Sequence, residues 1–530
     1  MLRLKRKERK MKETDLTKRK YDYETERLYE LFEEYRSAYI PEWERLSECD
    51  RLYRGEHWRD IPKQGANEPR PVTPVIQSTV ENVRAELTDS YPEAVICADT
   101  PGYEKTAEIL TAAIRENHIA CDYETEYAKL IYDLLVGGYM IQEVGFDADM
   151  NYGLGGAFIR HVDNRNIMLD PCAVSIDDCR AIFKFAPHDR SWFEMHYPER
   201  VNEMVFDEYS IKNVTDDVLA AKHEPQCLLI ECWLREYDAE ESRYRIHMVK
   251  LAGRIKLEDS RELLPDGMYM HGKYPFTVTA LFTRKGSCLG YGFADMFREQ
   301  QVLSDKLDQI ILKNALMASH NKLLVSSASG FDVNELRDWS KEVHRGENIN
   351  GIKWFSTAPL PSYIIDYAAK MRESIREESG ANDFSRGSTI GGVTAASAIS
   401  ALMEMSNKRA RNIARRIHAD FARAVRMEIE VEREYTVFER TVSVSDKRTE
   451  KYSNKLLSDG NSFPLEFRVT VKVQRENKFS VISHNETVIK LVELGMLSPD
   501  VGLTMLIFDG KDEAIELMRK KQTTGENNGG

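Results

Sequence analysis

Two cysteines and a histidine are the residues of this sequence whose types and spacing most readily suggest a metal-binding site. Cys227 and Cys232 are separated by four residues, with His223 just upstream, and thiolate and imidazole are the ligands that zinc prefers. Residues 228–234 have the pattern of a strand, however, and buried free thiols on that strand are the favoured interpretation. None of the eight cysteines forms a Cys-x-x-Cys pair, so we expect reduced thiols, as in the cytoplasm.

Three carboxylates offer a second possible cation site. Asp170, Asp177 and Asp178 are hard oxygen ligands close together in the sequence. Together with Pro171 they have the composition of a turn, and a solvated acidic loop is the favoured interpretation. We therefore expect no metal and no cofactor.

Motifs of catalysis or nucleotide binding are missing from the sequence. Gly510-Lys511 resembles the end of a phosphate-binding loop, but its spacing from Gly502 is wrong and Asp512 follows. The cluster Gly153-Leu-Gly-Gly156 joins two strand patterns, which indicates a hairpin turn. No nucleophile or general base stands out, and this favours a structural or mechanical protein over an enzyme.

A glycine-rich loop and a long helix form the most distinctive segment. Residues 380–394 contain four glycines and a single cation, and the next stretch without proline runs to about residue 435. As one helix, residues 395–435 would be about 60 Å long. Ile399, Leu402, Ile413, Ile417, Phe421 and Val425 make its apolar face. Seven cations lie elsewhere on it, and we expect a solvated face or partners for acidic helices rather than a DNA-binding stripe: Lys408, Arg409, Arg411, Arg415, Arg416, Arg423 and Arg426.

Composition indicates a folded chain of several parts. The 530 residues are 42% hydrophobic and carry a net charge of −13, and no apolar run is long enough to span a membrane. Residues 1–20 hold ten lysines and arginines against three acidic residues, so the acidity lies in the rest of the chain. An acidic body does not fit a protein that grips phosphates statically.

The periodicity predicts an α+β fold. Helices are expected at 22–40, from Pro41 to about 55, and at 74–89, 103–117 and 122–135. Antiparallel strands are expected at 139–146, 157–161, 167–170, 228–237, 244–251 and 276–282. A helix at 292–319, a small αβ unit (strand 323–326, helix 332–344 with Asp332 and Glu335 as a capping box, strand 352–355) and a helix at 362–380 come next. Strands at 437–444 and 467–473 flank a loop at 445–463, and short helices follow at 484–497 and 511–520.

Four segments in this order carry a family resemblance. They are Leu52-Tyr-Arg-Gly-Glu-His-Trp58 with residues 70–82, Leu169-Asp-Pro-Cys-Ala-Val-Ser-Ile-Asp-Asp178, the helix–insert–helix unit at 292–380, and Gly391-Gly-Val-Thr-Ala-Ala-Ser-Ala-Ile399. The chain thereby resembles the portal proteins of tailed double-stranded DNA bacteriophages, over roughly residues 40–500. Such proteins form a ring, typically of twelve subunits, at one vertex of the capsid. DNA enters and leaves through the ring.

The resemblance implies a division of the chain. It would comprise a basic N-terminal arm (1–25), a wing (26–290), two stem helices (291–320 and 362–380) around a clip (321–361), a tunnel loop (381–394), a long wing helix (395–435), a β region (436–480), crown helices (481–522) and a disordered tail (523–530). The implied partners are further copies of the chain, double-stranded DNA, the terminase large subunit, a head–tail adaptor, and the major capsid and scaffolding proteins. The implied location is the virion, after assembly in the host cytoplasm, with no membrane.

Candidate residues follow from this division. Asn382, Asp383, Phe384, Arg386 and Ser388 would face DNA in the tunnel loop. Phe297, Leu303, Leu307, Ile310 and Ile311 would pack the stem, and Trp339, Arg345, Trp354 and Phe355 would lie in the clip.

Two other interpretations remain at this stage. One is a cytosolic α+β enzyme on which residues 381–394 form an active-site lid. The other is a different phage head component. The missing phosphate-binding motif argues against the terminase motor, and the mixed α/β composition argues against a rod-like scaffold.

Overall fold

The computed structural model describes residues 2–63, 65, 68–89, 91–206, 225–239, 242–319, 322–338, 340–355, 358–379, 408–445, 448–458, 465–473 and 478–506. This part of the chain is mixed α+β, as the sequence predicts. The residues expected to form the tunnel loop, and Trp339, lie outside it.

The helices differ greatly in length. They are α1 (Leu2–Arg54), α2 (Val75–Thr88), α3 (Glu104–Ala120), α4 (Tyr123–Val136), α5 (Arg190–His196), α6 (Ser260–Leu263), α7 (Phe293–Ser319), α8 (Val333–Arg337), α9 (Ser362–Ser379), α10 (Lys408–Tyr435), α11 (Lys478–Glu493) and α12 (Pro499–Met505). A helical turn at Met150–Gly153 and 3-10 turns at Ile176–Asp178, Val201–Glu203, Ser327–Ser329, Ile349–Gly351 and Asn454–Leu457 are short additions.

The strands pair antiparallel throughout the described part. They are β1 (Pro92–Ala98), β2 (Tyr139–Asp147), β3 (Gly156–Val162), β4 (Ile167–Met168), β5 (Ala181–Asp189), β6 (Gln226–Asp238), β7 (Arg243–Ala252), β8 (Ile255–Asp259), β9 (Phe276–Ala280), β10 (Phe282–Thr283), β11 (Gly290–Tyr291), β12 (Lys322–Val325), β13 (Ile352–Phe355), β14 (Arg440–Ser445), β15 (Arg448–Tyr452) and β16 (Phe467–Val473). The larger sheets have the orders β4-β5-β6-β7-β8 and β3-β2-β9, and the remaining sheets are pairs.

The prediction of two helices divided at Pro41 is wrong. Helix α1 is one helix with Pro41 inside it. Proline normally breaks a helix interior because it lacks an N–H. Here Tyr39 and Trp43, on either side of Pro41, are both buried in the core and pack against each other. Tertiary packing thus offsets the missing hydrogen bond. The basic N-terminal segment belongs to the same helix.

Two glycines close α4 as predicted and bring β2 near the start of α7. Gly137 donates to the carbonyl of Asp133, and Gly138 has a positive φ of 93°. A Cβ on Gly138 would lie 2.2 Å from the backbone of Tyr291. This close approach holds the end of α4 against the segment that enters α7.

Other differences from the sequence prediction are missed elements and shifted helix ends. The strands β1, β5, β8, β11 and β15 and the short helices α5, α6 and α12 were not predicted, and β15 occupies part of the expected loop at 445–463. Helix α8 ends at Arg337 rather than near residue 344. Asp332 caps this helix by accepting a hydrogen bond from the N–H of Asn334, but Glu335 does not complete the predicted capping box. Helix α11 begins at Lys478, six residues early.

The α10 helix is the main packing element of the body, which we define as the described residues outside α7–α9. It packs on β2, β3 and β9 and on β16. Ile417, Phe421 and Val425 are fully buried, which confirms this part of the predicted apolar face. Ile399 and Leu402 lie outside the described residues.

Helices α7 and α9 form the second structural unit. They pack against each other, and the paired strands β12 and β13 lie between them in the chain. We call residues 293–379 the hairpin. Helices α7 and α9 and the two strands of the insert lie where the sequence predicts them, whereas α8 is shorter than predicted.

Candidate functional site

The base of the hairpin is held to the body by polar side chains on the inward face of α7. Gln301, Ser304 and Asp305 are buried there. Helix α2 begins after Pro74, which supplies no side-chain cap. The Gln301 side-chain oxygen accepts from the N–H groups of Val75 and Ile76 at 3.1 and 3.3 Å. Gln301 thus caps α2 from a position far away in the sequence.

Gln301 also completes the adjacent loop. Its side-chain nitrogen donates to the carbonyl of Thr73 at 2.8 Å and to Asp305 at 3.2 Å. Asp305 in turn accepts from the N–H of Thr73 at 3.3 Å, and the Thr73 hydroxyl donates to Asp308 at 3.0 Å. Two turns of α7, from Gln301 to Asp308, therefore bond the N–H groups of Thr73, Val75 and Ile76 and the carbonyl and hydroxyl of Thr73.

A buried histidine joins the same network. Nδ1 of His57 is hydrogen-bonded to Asp305, and Nε2 pairs with the carbonyl of Leu52 at 2.8 Å. Burial lowers the pKa of His57, but the hydrogen bonds to Asp305 and Leu52 outweigh it, and the net pKa is raised. Because both side chains are almost fully buried, the pair fixes α7 against the end of α1.

The N-terminal end of α7 is fixed by charge. Asp295 accepts from the N–H of Gly292 at 2.9 Å and pairs with Arg45 of α1. Arg45 also binds Glu42 at 2.6 Å and the carbonyl of Gly137 at 2.8 Å. These contacts raise the pKa of Arg45 against the opposing effect of burial, so α1 and α7 are joined by a charged contact.

The first segment of the family resemblance folds around this base. Trp58 donates its indole N–H to the carbonyl of Pro71 at 2.8 Å, and Arg70 donates to the carbonyl of Trp58 at 2.9 Å. Gln309 of α7 donates to the carbonyl of Pro69 at 2.9 Å. The hydrogen bonds of this segment thus hold its loop together and join it to α7 at the base of the hairpin.

Helix α9 is attached to α7 through polar residues of the same part of α7, Ser304 and Asp308. Arg372 pairs with Asp308 and donates to Ser304 at 3.3 Å. Ala368 and Ile375 are buried in the α7–α9 contact and its base. The two helices therefore share one set of inward polar residues.

The outward face of the hairpin is apolar and exposed. Of the predicted stem residues, Phe297 is fully buried at the base, Leu307 and Ile311 are partly buried, and Leu303 and Ile310 are 39% and 48% exposed. Further exposed apolar side chains lie on the same helices: Met296, Leu312, Leu316, Met317, Tyr363, Ile365 and Tyr367. The predicted apolar stripe is thus buried at the base of the hairpin, at Phe297, and partly or largely exposed from Leu303 to Ile311. We call this exposed part of α7, with the exposed apolar residues of α9, the shaft.

The insert presents the predicted clip residues to the surface. Trp354 and Phe355 on β13 are exposed, Trp354 by 67%, and Arg345 is exposed as well. The insert therefore exposes both aromatic and cationic side chains.

Buried acids on α10 form a second polar cluster that sequence reasoning missed. Glu432 accepts from Asn117 at 2.6 Å, from the N–H of Ala157 at 2.8 Å and from the Tyr452 hydroxyl at 3.0 Å. Glu428 pairs with His118 at 2.9 Å, and burial raises the pKa of Glu428. Their spacing continues the apolar face beyond Val425, a signal that could have placed both acids inside.

Asp420 is the third acid of this cluster. It accepts from Gln142 and from the Thr277 hydroxyl, each at 2.8 Å. Burial raises its pKa, against the lowering effect of these hydrogen bonds. Asp420 therefore joins α10 to both β2 and β9.

The remaining sequence candidates have structural roles. Asp170 is bound by Arg180 at 2.6 Å, whereas Asp178 and Ser175 form a capping box, so the three acids do not converge. Cys227 and Cys232 are buried on β6, as predicted. Within the described ranges, no group of three or more histidine, cysteine or acidic side chains is placed to hold a metal ion.

The α10 cations lie mainly at the surface, as expected. Arg415, Arg416, Arg423 and Arg426 are exposed. Arg416 donates to the carbonyl of Leu281 at 2.8 Å, and Arg423 lies 3.5 Å from Asp420. Two of them thus have bonding partners in the body.

Comparison with known families gives a match in the first part of the chain. Residues 29–275, from within α1 to just before β9, match the family model described as Phage P22-like portal protein. No curated protein matches the chain. In the described part of the chain, none of the helices has both the length and the apolar character needed to cross a bilayer.

Proposed function

We propose that the chain forms a ring-shaped DNA channel at one capsid vertex, as its match to the Phage P22-like portal protein family over residues 29–275 suggests. In this proposal terminase drives the genome inward through the ring, the ring retains the DNA and later releases it, and a head–tail adaptor binds the same ring. The protein is assembled in the host cytoplasm and resides in the virion. Major capsid and scaffolding proteins surround it.

The uncovered shaft of the hairpin is the observation that carries the proposal. An amphipathic helix normally turns its apolar face toward its own core. In α7 the buried side chains beyond Phe297 are polar and hydrogen-bonded, while Leu303 and Ile310 lie exposed. Contiguous exposed apolar surface marks a site of protein association. In a closed ring each copy covers part of its neighbour.

The hairpin supports the assignment of stem and clip. Helices α7 and α9 serve as the stem, and the insert around β12 and β13 serves as the clip. Trp354, Phe355 and Arg345 are exposed on this insert, where they can meet terminase and then the adaptor. The family match ends before the hairpin, so this assignment rests on the hairpin's surface.

The ring and its contact surface have a direct test. Negative-stain imaging and mass measurement of the purified chain should show rings with a central hole. Ile310→Asp should leave the folded chain intact but prevent ring formation, because it places a charge in the subunit contact. Ile310→Leu is the matched control and should retain rings. Rings of normal yield from Ile310→Asp would contradict the proposed contact, and a monomeric wild-type chain would contradict the ring.

The channel assignment is a proposal from the sequence. Residues 381–394, with Asn382, Asp383, Phe384, Arg386 and Ser388 toward DNA, line the narrowest part, and residues 395–435 form the long wing helix. Deleting residues 383–391 should leave ring assembly unchanged and abolish packaging or retention of DNA. Full packaging by the deletion variant would refute this assignment.

The enzyme interpretation is set aside. The family is structural and non-catalytic, which confirms the expectation that the chain is not an enzyme. A cleft of about 500 Å³ does contain the pair His161–Asp133, 2.7 Å apart. His161 also donates its backbone N–H to Glu126 at 2.9 Å, which ties β3 to α4. The pair therefore serves packing.

A further inference from the structure

Helix α1 combines an anchored part with a strongly basic part. Glu24 pairs with Arg261 at 2.6 Å. Two residues later Glu26 pairs with Arg254 at 2.9 Å, so this stretch of the helix is held on the body beside β8. Residues 1–20, the basic N-terminal segment, hold ten lysines and arginines against three acidic residues. Helix α1 runs through this segment before it reaches the first of these two ion pairs.

The basic N-terminal segment and the hairpin lie at opposite ends of the anchored part of α1. Arg45 pairs with Asp295 at the base of the hairpin. The helix between Glu24 and Arg45 is about 30 Å long. Residues 2–23 add about 33 Å of helix on the other side of Glu24. The segment is therefore remote, along the helix, from the hairpin that carries the proposed clip.

The cations of this segment are as closely spaced as the phosphates of DNA. Residues 3–12 contain seven lysines and arginines and a single acid, Glu8. Ten helical residues cover about 15 Å, so the helix carries one cation about every 2 Å here. Double-stranded DNA carries one negative charge per about 1.7 Å of its axis. The two linear charge densities are therefore similar in magnitude and opposite in sign.

The rest of the chain has the charge that would repel DNA. Because the whole chain carries −13 and residues 1–20 carry +7, the remaining residues carry −20. The Debye length is about 8 Å at physiological ionic strength. Residues 3–12 lie about 18 Å or more of helix before Glu24. Repulsion from the acidic body around that anchor is thus largely screened where the cations are densest.

We propose that the basic N-terminal segment binds the phosphate backbone of double-stranded DNA. Basic blocks of this kind are often arms that bind nucleic acid. Lysine and arginine contacts with phosphates release counterions and carry no information about base sequence. The choice of DNA as the anion rests on the proposed function. The contact is separate in the chain from the proposed tunnel loop at residues 381–394.

Fluorescence anisotropy with a labelled DNA duplex of about 30 base pairs tests this contact in the full-length chain. The association constant is measured between 50 and 200 mM salt. Its logarithm should fall linearly with the logarithm of the salt concentration, with a slope of about −3 to −6, because each neutralised phosphate contributes about −0.9. A second duplex of unrelated sequence should bind equally well.

Double substitutions distinguish the segment from the net charge of the chain. Lys7→Gln with Lys10→Gln should weaken binding about tenfold or more at 100 mM salt, because two phosphate contacts are lost. Glutamine keeps a helix propensity close to that of lysine. Arg415→Gln with Arg426→Gln is the matched control, since it removes the same charge from exposed positions on α10, and it should retain wild-type affinity. Lys7→Arg with Lys10→Arg keeps the charge and should also bind normally.

The outcomes that overturn the proposal are distinct from those that bear on the ring. An unchanged affinity of the Lys7→Gln, Lys10→Gln variant would overturn it, as would an equal loss of affinity in both glutamine pairs or no binding by the wild-type chain at 50 mM salt. Negative-stain images of the same samples record ring formation. Rings whose DNA affinity ignores the segment would contradict this inference alone, whereas monomers that bind DNA through it would support it and contradict the ring.

Discussion

Helices α10 and α7 are both long and amphipathic, yet they face their surroundings in opposite ways. In α10 the apolar side chains of Ile417, Phe421 and Val425 are buried in the body. In α7 only the first turns bury apolar side chains, such as Phe297; the buried side chains after them are Gln301, Ser304 and Asp305, and apolar residues such as Ile310 remain exposed. An apolar stripe in the sequence therefore does not show whether that face of the helix packs in the core or remains exposed. Within one chain such a stripe is buried in the core on α10 and largely exposed on α7.

Buried polar groups also differ between the two helices. On α7 they cap α2 and hold a loop through Gln301, so they set the direction in which the hairpin leaves the body. On α10 the acids Asp420, Glu428 and Glu432 bond to α3, β2, β3, β9 and β15 within the core. Polar residues in the first case orient a helix, and in the second they fix its register.

The largest difference is expected on truncating the two apolar faces. Phe421→Ala should lower the free energy of unfolding by about 3–5 kcal/mol, because it leaves a cavity in the core. Ile310→Ala should cost less than about 1 kcal/mol when the chain is monomeric, because Ile310 is already exposed. Urea unfolding at low protein concentration measures both. Equal losses would mean that Ile310 is buried within its own chain.

A smaller effect is expected at the polar base. Gln301→Ala should cost about 1–3 kcal/mol, because the N–H groups of Val75 and Ile76 lose their acceptor in a buried place. Gln300→Ala is the matched control, since its hydrogen bond to Glu378 at 3.4 Å is exposed. Urea unfolding should show little change for the control. A loss at Gln300 as large as that at Gln301 would refute the capping role.

The smallest expected effect is a pH dependence in the body. Burial raises the pKa of Asp420 in the folded state, so its contribution is fully present below the unfolded pKa of about 4 and is lost as pH rises through the raised value. Asp420→Asn should flatten this part of the profile while keeping bonds to Gln142 or Thr277. Unfolding curves from pH 4 to 8 for both proteins provide the measurement. An unchanged pH profile would show that Asp420 titrates normally.

The sequence predicts those elements whose signals are local. The apolar spacing from Ile413 to Val425 locates α10, and Pro361 with Ser362 marks the start of α9. β1 was missed because its partner is a distant strand, and Pro41 was misread because only tertiary contacts keep α1 continuous. The predicted apolar stripe located α7 correctly but did not show which face of the helix packs on the body. The reason is that the partners of Gln301 and Asp305 lie more than 200 residues away in the sequence.

The pairing of β1 with β16 has a consequence for synthesis. Ile96 pairs with Val469, so β1 lacks this partner strand until almost the whole chain has left the ribosome. At typical translation speeds, the interval is roughly 20–75 s. During that time β1 offers an open edge to other nascent chains, and such edges invite aggregation. Correct yield therefore depends on how well the early-folding region shields this strand while the ribosome completes the rest.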